Sequence, residues 1–326
     1  MKILFAIQGT GNGHISRARE IIPHLKKYGD VDLLISGTEA EVSLDDEIKY
    51  KLNGLGFVFG QKGGVDFWET WKQFDTSSFI NDIRKLPVND YDLVINDFEP
   101  VTAWACKLKG KRSVAMSHQS AYLSPQTPQI KGFHWGKVIM NNYAPNTNHV
   151  AFHFEKYDDF VHTPVIRSGI RNMKTGNLGH YTVYLPAYSD EFIIEQISKF
   201  PDIQWQIFSK HSITHYQKEN AEIFPVNNEQ FNTSLSQCNG LLTGGGFEGP
   251  AEALFLGKKV LAVPMHHQYE QQCNALALER MGVPVIWHER EFPEKLRKWI
   301  FSDKIIEVNF PNETEEIVKK VIDKYG

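Results

Sequence analysis

Short apolar runs that stop at glycine recur along this chain, each followed by a stretch with an apolar residue every three or four positions. The first run, residues 3–7, ends at Gln8-Gly9; residues 15–27 then carry Ile15, Ala18, Ile22 and Leu25 on one face. A run apolar at every position reads as a strand buried on both sides, and the three-to-four spacing reads as a helix laid over it. A second run, residues 31–35, ends in Ser36-Gly37 and completes a β–α–β unit, the opening of a parallel sheet. Pro23 lies inside the helical pattern and is expected to kink or shorten it.

The rhythm continues. Strands are predicted at residues 57–59, 93–95, 113–116 and 150–154, and helices at 101–108 and 133–141. Residues 60–66 read as a glycine-rich loop. Phe67, Trp71 and Phe74 share a helix face in an aromatic segment, residues 67–79. A Gly-, Asn- and Lys-rich stretch, residues 168–179, reads as a linker. A second alternation follows, with strands predicted at 181–185, 203–208, 221–224, 240–243, 259–263 and 283–287, and closing helices at 291–301 and 313–325. The expected architecture is α/β, with two Rossmann-like parallel-sheet domains at 1–166 and 180–326 joined by residues 167–179. The last helix is expected to pack back on the first domain. At 326 residues the chain exceeds the size at which one core stops growing, which agrees with two domains.

Composition narrows the function classes. A net charge of −4 leaves no basic footprint for nucleic acid. Three cysteines, Cys106, Cys238 and Cys273, stand far apart without metal-ligand spacing, which fits reduced thiols in a cytoplasmic protein. No apolar run approaches the ~20 residues needed to span a bilayer.

Two glycine turns carry the candidate chemistry. The first, Gly9-Thr10-Gly11-Asn12-Gly13-His14, departs from a dinucleotide fingerprint. Its order is G-x-G-x-G-H, and the second strand ends in Ser36-Gly37 where an acid for ribose belongs. Gly11 and Gly13 permit close backbone approach, and His14 stands at a helix N-terminus, which favours the neutral imidazole of a base. The second turn, Thr243-Gly244-Gly245-Gly246-Phe247, offers unobstructed N–H groups to phosphate oxygens. No Lys-Ser/Thr follows it, so it is not a P-loop. Glu252, a turn into the following helix, could accept from a ribose diol or simply cap the helix. The polar loop at residues 264–274 places Glu270 and Gln271 where carboxylate and amide suit sugar hydroxyls. His266-His267 lacks the spacing of a metal site. No metal and no cofactor are expected beyond a nucleotide-sugar substrate.

In order and spacing, the second glycine turn, Ala251-Glu252-Ala253-Leu254, Gly257, Pro264 and Glu270-Gln271-x-x-Asn274-Ala275 resemble the donor signature of GT-B nucleotide-sugar glycosyltransferases of the MurG-like and UDP-glycosyltransferase-like families. The first glycine turn is similar to a G-x-x-G-G-H loop of that group, and Ser117-His118-Gln119-Ser120 resembles its H-E-Q-N stretch. The resemblance implies two domains facing a cleft, donor on the C-terminal side and acceptor on the N-terminal side. It implies His14 as base, Glu252 on ribose, residues 243–247 facing the diphosphate and Glu270 with Gln271 on the sugar. It also implies backbone near Pro225 and Val226 on the nucleobase, and Arg167, in a segment similar to N-P-V-R, reaching the diphosphate. His118 and Gln119 fall on the acceptor side. The departures are Glu270 for the usual Asp, Thr243-Gly244 for the usual His or Asn opening, and Leu185-Pro186-Ala187-Tyr188-Ser189 in place of a Gly-Gly-Ser loop.

The expected reaction is metal-independent, inverting transfer of a sugar from a nucleoside diphosphate sugar, with UDP as carrier, to a hydroxyl on a glycan, a lipid-linked molecule or a small molecule. A lipid-linked acceptor would bring peripheral membrane contact, against which the acids Asp66, Glu69 and Asp75 of the aromatic segment argue. Two rivals remain. A nucleotide-sugar epimerase or hydrolase would use Asp97 and Glu99, beyond a strand end, as acid and base, unless they cap the next helix. A non-catalytic nucleotide-sugar binding protein would explain the altered loop at 185–189.

Overall fold

The computed structural model describes residues 1–37, 44, 46–54 and 76–326. The strand, glycine loop and most of the aromatic segment expected across residues 57–75 lie outside the described residues.

The first sheet holds β1 (Lys2–Gln8), β2 (Asp30–Ser36), β3 (Ile48–Leu52), β4 (Leu93–Asp97), β5 (Val114–Ser117), β6 (Asn148–Phe152) and β7 (Val161–His162). Its order is β3-β2-β1-β4-β5-β6-β7, parallel throughout. The second sheet holds β8 (Tyr181–Tyr184), β9 (Trp205–Ser209), β10 (Tyr216–Lys218), β11 (Ala221–Pro225), β12 (Gly240–Gly244) and β13 (Lys259–Val263), in the order β10-β11-β9-β8-β12-β13. Only the edge strand β10 among these pairs antiparallel. The central strands are buried along nearly their whole length, as continuous apolar runs require when helices cover both faces.

Chain direction reverses its lateral growth between β1 and β4 in the first sheet and between β8 and β12 in the second. Open parallel sheets bind ligands outside the carboxyl ends of strands at such a switch. The first opens beside Gln8 and Asp97, the second beside Tyr184 and Gly244. One apolar core runs from strand residues such as Phe5 and Phe152 to Ala251 and Leu254 of the second half, with Phe154 and Phe247 meeting at 5.1 Å between ring centres. The final helix, Thr314–Tyr325, lies against the helix Asn12–Leu25, and Lys27 donates to Glu315 at 2.7 Å.

Several elements differ from the pattern-based reading. β3 went unpredicted although Ile48, Tyr50 and Leu52 alternate with Lys49 and Lys51, the mark of a half-covered edge strand. Residues 283–287 form a single bridge from Val285 to Ala262 in place of a strand, because Pro284 has no N–H to extend a ladder. Helix Asn12–Leu25 passes through Pro23 and stops two residues later, so the lost bond falls in its last turn. Helix Tyr269–Arg280 begins six residues before its apolar periodicity does. Its polar first turn, which reads as loop in the sequence, carries Glu270 and Gln271. The three cysteines are free and buried. Among the described residues no helix is long and apolar enough to cross a membrane.

Candidate functional site

A cleft of about 480 Å³ opens at the carboxyl ends of β1 and β4 and is closed on its far side by residues 266–270 and Gln272 of the second half. His14 lines it. The glycine turn after β1 starts helix Asn12–Leu25 at once, so His14 stands in the first helical turn. Gly11, with φ at 93°, precedes it in a conformation that favours glycine. His14 Nδ1 lies 2.9 Å from Asp97 Oδ1. That leaves the other ring nitrogen, Nε2, on the cleft side, 3.5 Å from the Gln119 amide. Phe98, held at φ 56°, stacks its ring parallel to His14 at 6.4 Å.

Asp97 is fully buried at the end of β4. Burial alone would push its carboxyl up; the charges of Arg17 and His14 outweigh this and hold it below the ordinary carboxylate range. Arg17 Nε and Nη2 donate to Oδ2 and Oδ1 at 3.0 and 2.8 Å, and its Nη1 donates to Glu248 Oε1 at 2.6 Å. Glu248 opens the helix Glu248–Phe255 beyond the second glycine turn, so Arg17 joins the two halves. A Cβ at Gly13 would collide with the Glu248 carboxylate. Arg17 and Glu248 escaped the sequence reading. The available signal was a cation three residues after His14, on a helix face that otherwise packs inward.

Glu99 has a different task from the acid or base role weighed for it. It is fully buried and absent from the cleft walls, and its two oxygens accept from Val101 N and Thr102 N at 2.7 and 2.6 Å, capping the helix Pro100–Lys109. Its carboxyl is raised, chiefly by burial. Asp97 also lacks a surface on the cleft and sits behind His14.

His118 is buried between the halves. Its Nδ1–H donates to the Phe152 carbonyl at 2.8 Å, its Nε2 lies 2.9 Å from Asn274 Oδ1, and its ring stacks on Phe247 at 3.9 Å. Burial lowers its pKa and keeps it neutral. Gln119 does reach the cleft and donates to Glu270 Oε2 at 3.2 Å. Glu270 is a cleft residue, whereas Gln271 is a brace: its Oε1 accepts from Gly245 N and Met265 N at 3.2 and 3.1 Å. Gly245 must be glycine here, because a Cβ would stand 2.6 Å from the Gln271 carbonyl oxygen. The turn at residues 243–247 lies at the end of β12 but does not wall the 480 Å³ cavity.

Glu252, 4 % exposed, is held bidentately by Arg167 at 2.5 and 2.6 Å, and Arg167 also reaches Asn228 and Asn232 at 3.2 Å each. The structure therefore brings these two expected donor residues together as a pair. Burial raises the Glu252 carboxyl despite this partner. Val226 follows the carboxyl end of β11, on the same edge of the second sheet as the glycine turn.

The first-half wall of the cleft is mostly apolar: Phe98, with Trp135, Ile139, Met140 and Tyr143 from the helix Trp135–Tyr143. Trp135 is 67 % exposed at the mouth. His266 and His267 line the opposite wall, with His266 stacked on His288 at 5.6 Å. The arrangement can take a proton from a hydroxyl presented against the apolar wall, and it offers Glu270 and Gln119 to a polyhydroxylated group.

A model of the family described as glycosyl transferase family 1 matches residues 1–301. No protein of curated function matches the sequence. Among solved structures, a UDP-glucosyltransferase from Polygonum tinctorium capable of glucosylating indoxyl, in complex with 3,4-dichloroaniline, is similar with a TM-score of 0.60 at 12 % identity, over 99 % of this chain and 93 % of that one. Arabidopsis thaliana UGT89C1 complexed with UDP gives 0.59 at 11 % identity, over 99 % and 94 %. Acinetobacter baumannii MurG gives 0.54 at 14 % identity, over 99 % and 94 %.

Proposed function

The chain belongs to glycosyl transferase family 1, and from that premise we propose that it moves a sugar from a UDP-sugar to a hydroxyl acceptor, with inversion and without a metal. The fold is that of the GT-B glycosyltransferases, and the activity is glycosyl transfer. The finer reading rests on one observation: a histidine backed by a buried carboxylate, its outer nitrogen on a cleft between two parallel sheets.

In this reading the acceptor O–H gives its proton to His14 Nε2 as its oxygen attacks the anomeric carbon. The bond from that carbon to the diphosphate oxygen breaks, and its electron pair leaves on UDP. Asp97 fixes the ring and stabilises the imidazolium; a positioned base contributes ~10²–10⁴-fold. The turn at residues 243–247 meets the departing charge through the N–H groups that Gln271 does not occupy, with Gly11 and Gly13 on the facing turn. Glu252 takes the ribose once its pair with Arg167 opens, which frees Arg167 toward the diphosphate. Glu270 receives sugar hydroxyls while Gln271 holds the loop, and backbone at Val226 reads the base. The domain limits 1–166, 167–179 and 180–326 belong to the same reading. UDP as carrier draws support from the Arabidopsis thaliana structure, which is complexed with UDP. The apolar wall favours an acceptor hydroxyl carried on an apolar or aromatic body.

Incubation with a panel of α-linked UDP-hexoses and 4-methylumbelliferone in EDTA, followed by proton NMR, tests this. Inverting transfer gives UDP and a β-linked product. Altered free sugar without acceptor would instead make the chain an epimerase or hydrolase. Tight donor binding with no turnover over a wide panel of hydroxyl acceptors would make it a binding protein.

A further inference from the structure

Arg17 is a cation on the inner face of helix Asn12–Leu25, 3 % exposed. A guanidinium is almost never buried without partners for its charge. Asp97 holds it from β4, and Glu248 holds it from the other half. Its Nη2 also lies 3.0 Å from His14 Nδ1, while Asp97 Oδ1 is 2.9 Å from that same nitrogen. His14 Nδ1 can donate to Asp97 or accept from Arg17, but one nitrogen does not do both. Only the first arrangement leaves Nε2 with a free lone pair.

The charges around this triangle decide between the two. Asp97, Glu248 from helix Glu248–Phe255 and Glu270 from helix Tyr269–Arg280 all act on Arg17. Buried His118 faces it as a neutral ring. Without Arg17, the buried Asp97 charge would stand 2.9 Å from His14 with no fixed cation among these groups to offset it.

We propose that Arg17 is a positioning residue for the transfer step: gripped from the other half by Glu248, it offsets the buried Asp97 charge beside His14 and keeps Nδ1–H on Asp97 and Nε2 open. This rests on His14 being the base. Arg17 itself touches no reacting atom; it sets the state of the group that does.

The test uses the full chain labelled with ¹³C,¹⁵N-histidine, with His14→Ala identifying the His14 signals. In Arg17→Gln the His14 titration midpoint rises by about one pH unit or more, the scale on which a charge within 4–6 Å acts. In Arg17→Lys it returns most of the way, which separates charge from lost packing. An unmoved midpoint in Arg17→Gln, or the same rise in Arg17→Lys, overturns the assignment. A second readout needs no variant at this position: at pH 8 the wild-type ¹⁵N shifts show Nδ1 protonated and Nε2 bare, and the opposite tautomer would overturn the proposal. Neither readout needs an acceptor. An unmoved midpoint beside an inactive His14→Ala variant sinks Arg17 alone. A moved midpoint beside an active His14→Ala variant sinks the base and leaves the coupling standing.

Discussion

Replacing Asp97 by asparagine preserves shape and removes one charge at a fully buried position. The carboxylate accepts from His14 Nδ1 at 2.9 Å and takes two donors of Arg17 at 3.0 and 2.8 Å. An amide has one acceptor oxygen. Either orientation turns an NH₂ group toward an Arg17 donor, and the guanidinium charge is left to Glu248, whose side chain is 31 % exposed. Removing one partner of a buried pair costs about 3–5 kcal/mol. Because Glu248 remains, the lower end, about 3 kcal/mol, is expected, which lowers the melting midpoint by roughly 4–5 °C for a chain of this size. The pH dependence has a definite sign. The Asp97 pKa is depressed in the folded chain, so its contribution is complete above the unfolded value and fades as pH falls through the folded one. The gap between wild type and Asp97→Asn is therefore full near pH 7 and narrows below about pH 4. Transfer falls on the order of 10²-fold or more, because the ring loses its orienting acceptor. Calorimetric melts of both proteins from pH 8 down to pH 3 give the stability gap. Equal midpoints at pH 7, or a gap that widens below pH 4, would refute the charge argument.

Other substitutions separate the remaining roles. Glu99→Ala loses both cap bonds and costs about 1–2 kcal/mol in denaturant titrations while leaving transfer per folded molecule unchanged; a hundredfold loss of turnover would return Glu99 to the chemistry. Gly245→Ala drives a methyl group against the Gln271 carbonyl oxygen, at 2.6 Å before relaxation, and costs about 1–3 kcal/mol by overpacking. Because the displaced loop is the proposed phosphate cradle, UDP affinity by isothermal titration falls about tenfold; unchanged affinity would move the donor elsewhere.

Much of this fold is legible from hydrophobic pattern because parallel strands buried on both faces give uninterrupted apolar runs, as at residues 3–7 and 259–263. Edge elements carry weaker patterns, and β3, with lysines at alternate positions, passed unnoticed for that reason. His14, the second glycine turn and Glu270 stand out because they fall in polar or glycine-rich stretches that follow apolar runs, where open parallel sheets bind ligands. The roles of their neighbours do not stand out. Glu99 and Asp97 are two residues apart at one strand end, yet one caps a helix and the other backs a histidine. That difference comes from the positive φ of Phe98 between them, which composition does not announce. Gln271 looks equivalent to Glu270 in sequence, but the helix begins before its apolar period and turns Gln271 onto Gly245. The Arg17–Glu248 link joins positions 231 residues apart, and no local pattern encodes it.

Whether His14 is the base is decided by the single-turnover rate of His14→Ala, measured together with its UDP-sugar affinity. Transfer slows by a factor on the order of 10²–10⁴ with the dissociation constant for the donor unchanged. Transfer at the wild-type rate would contradict that role.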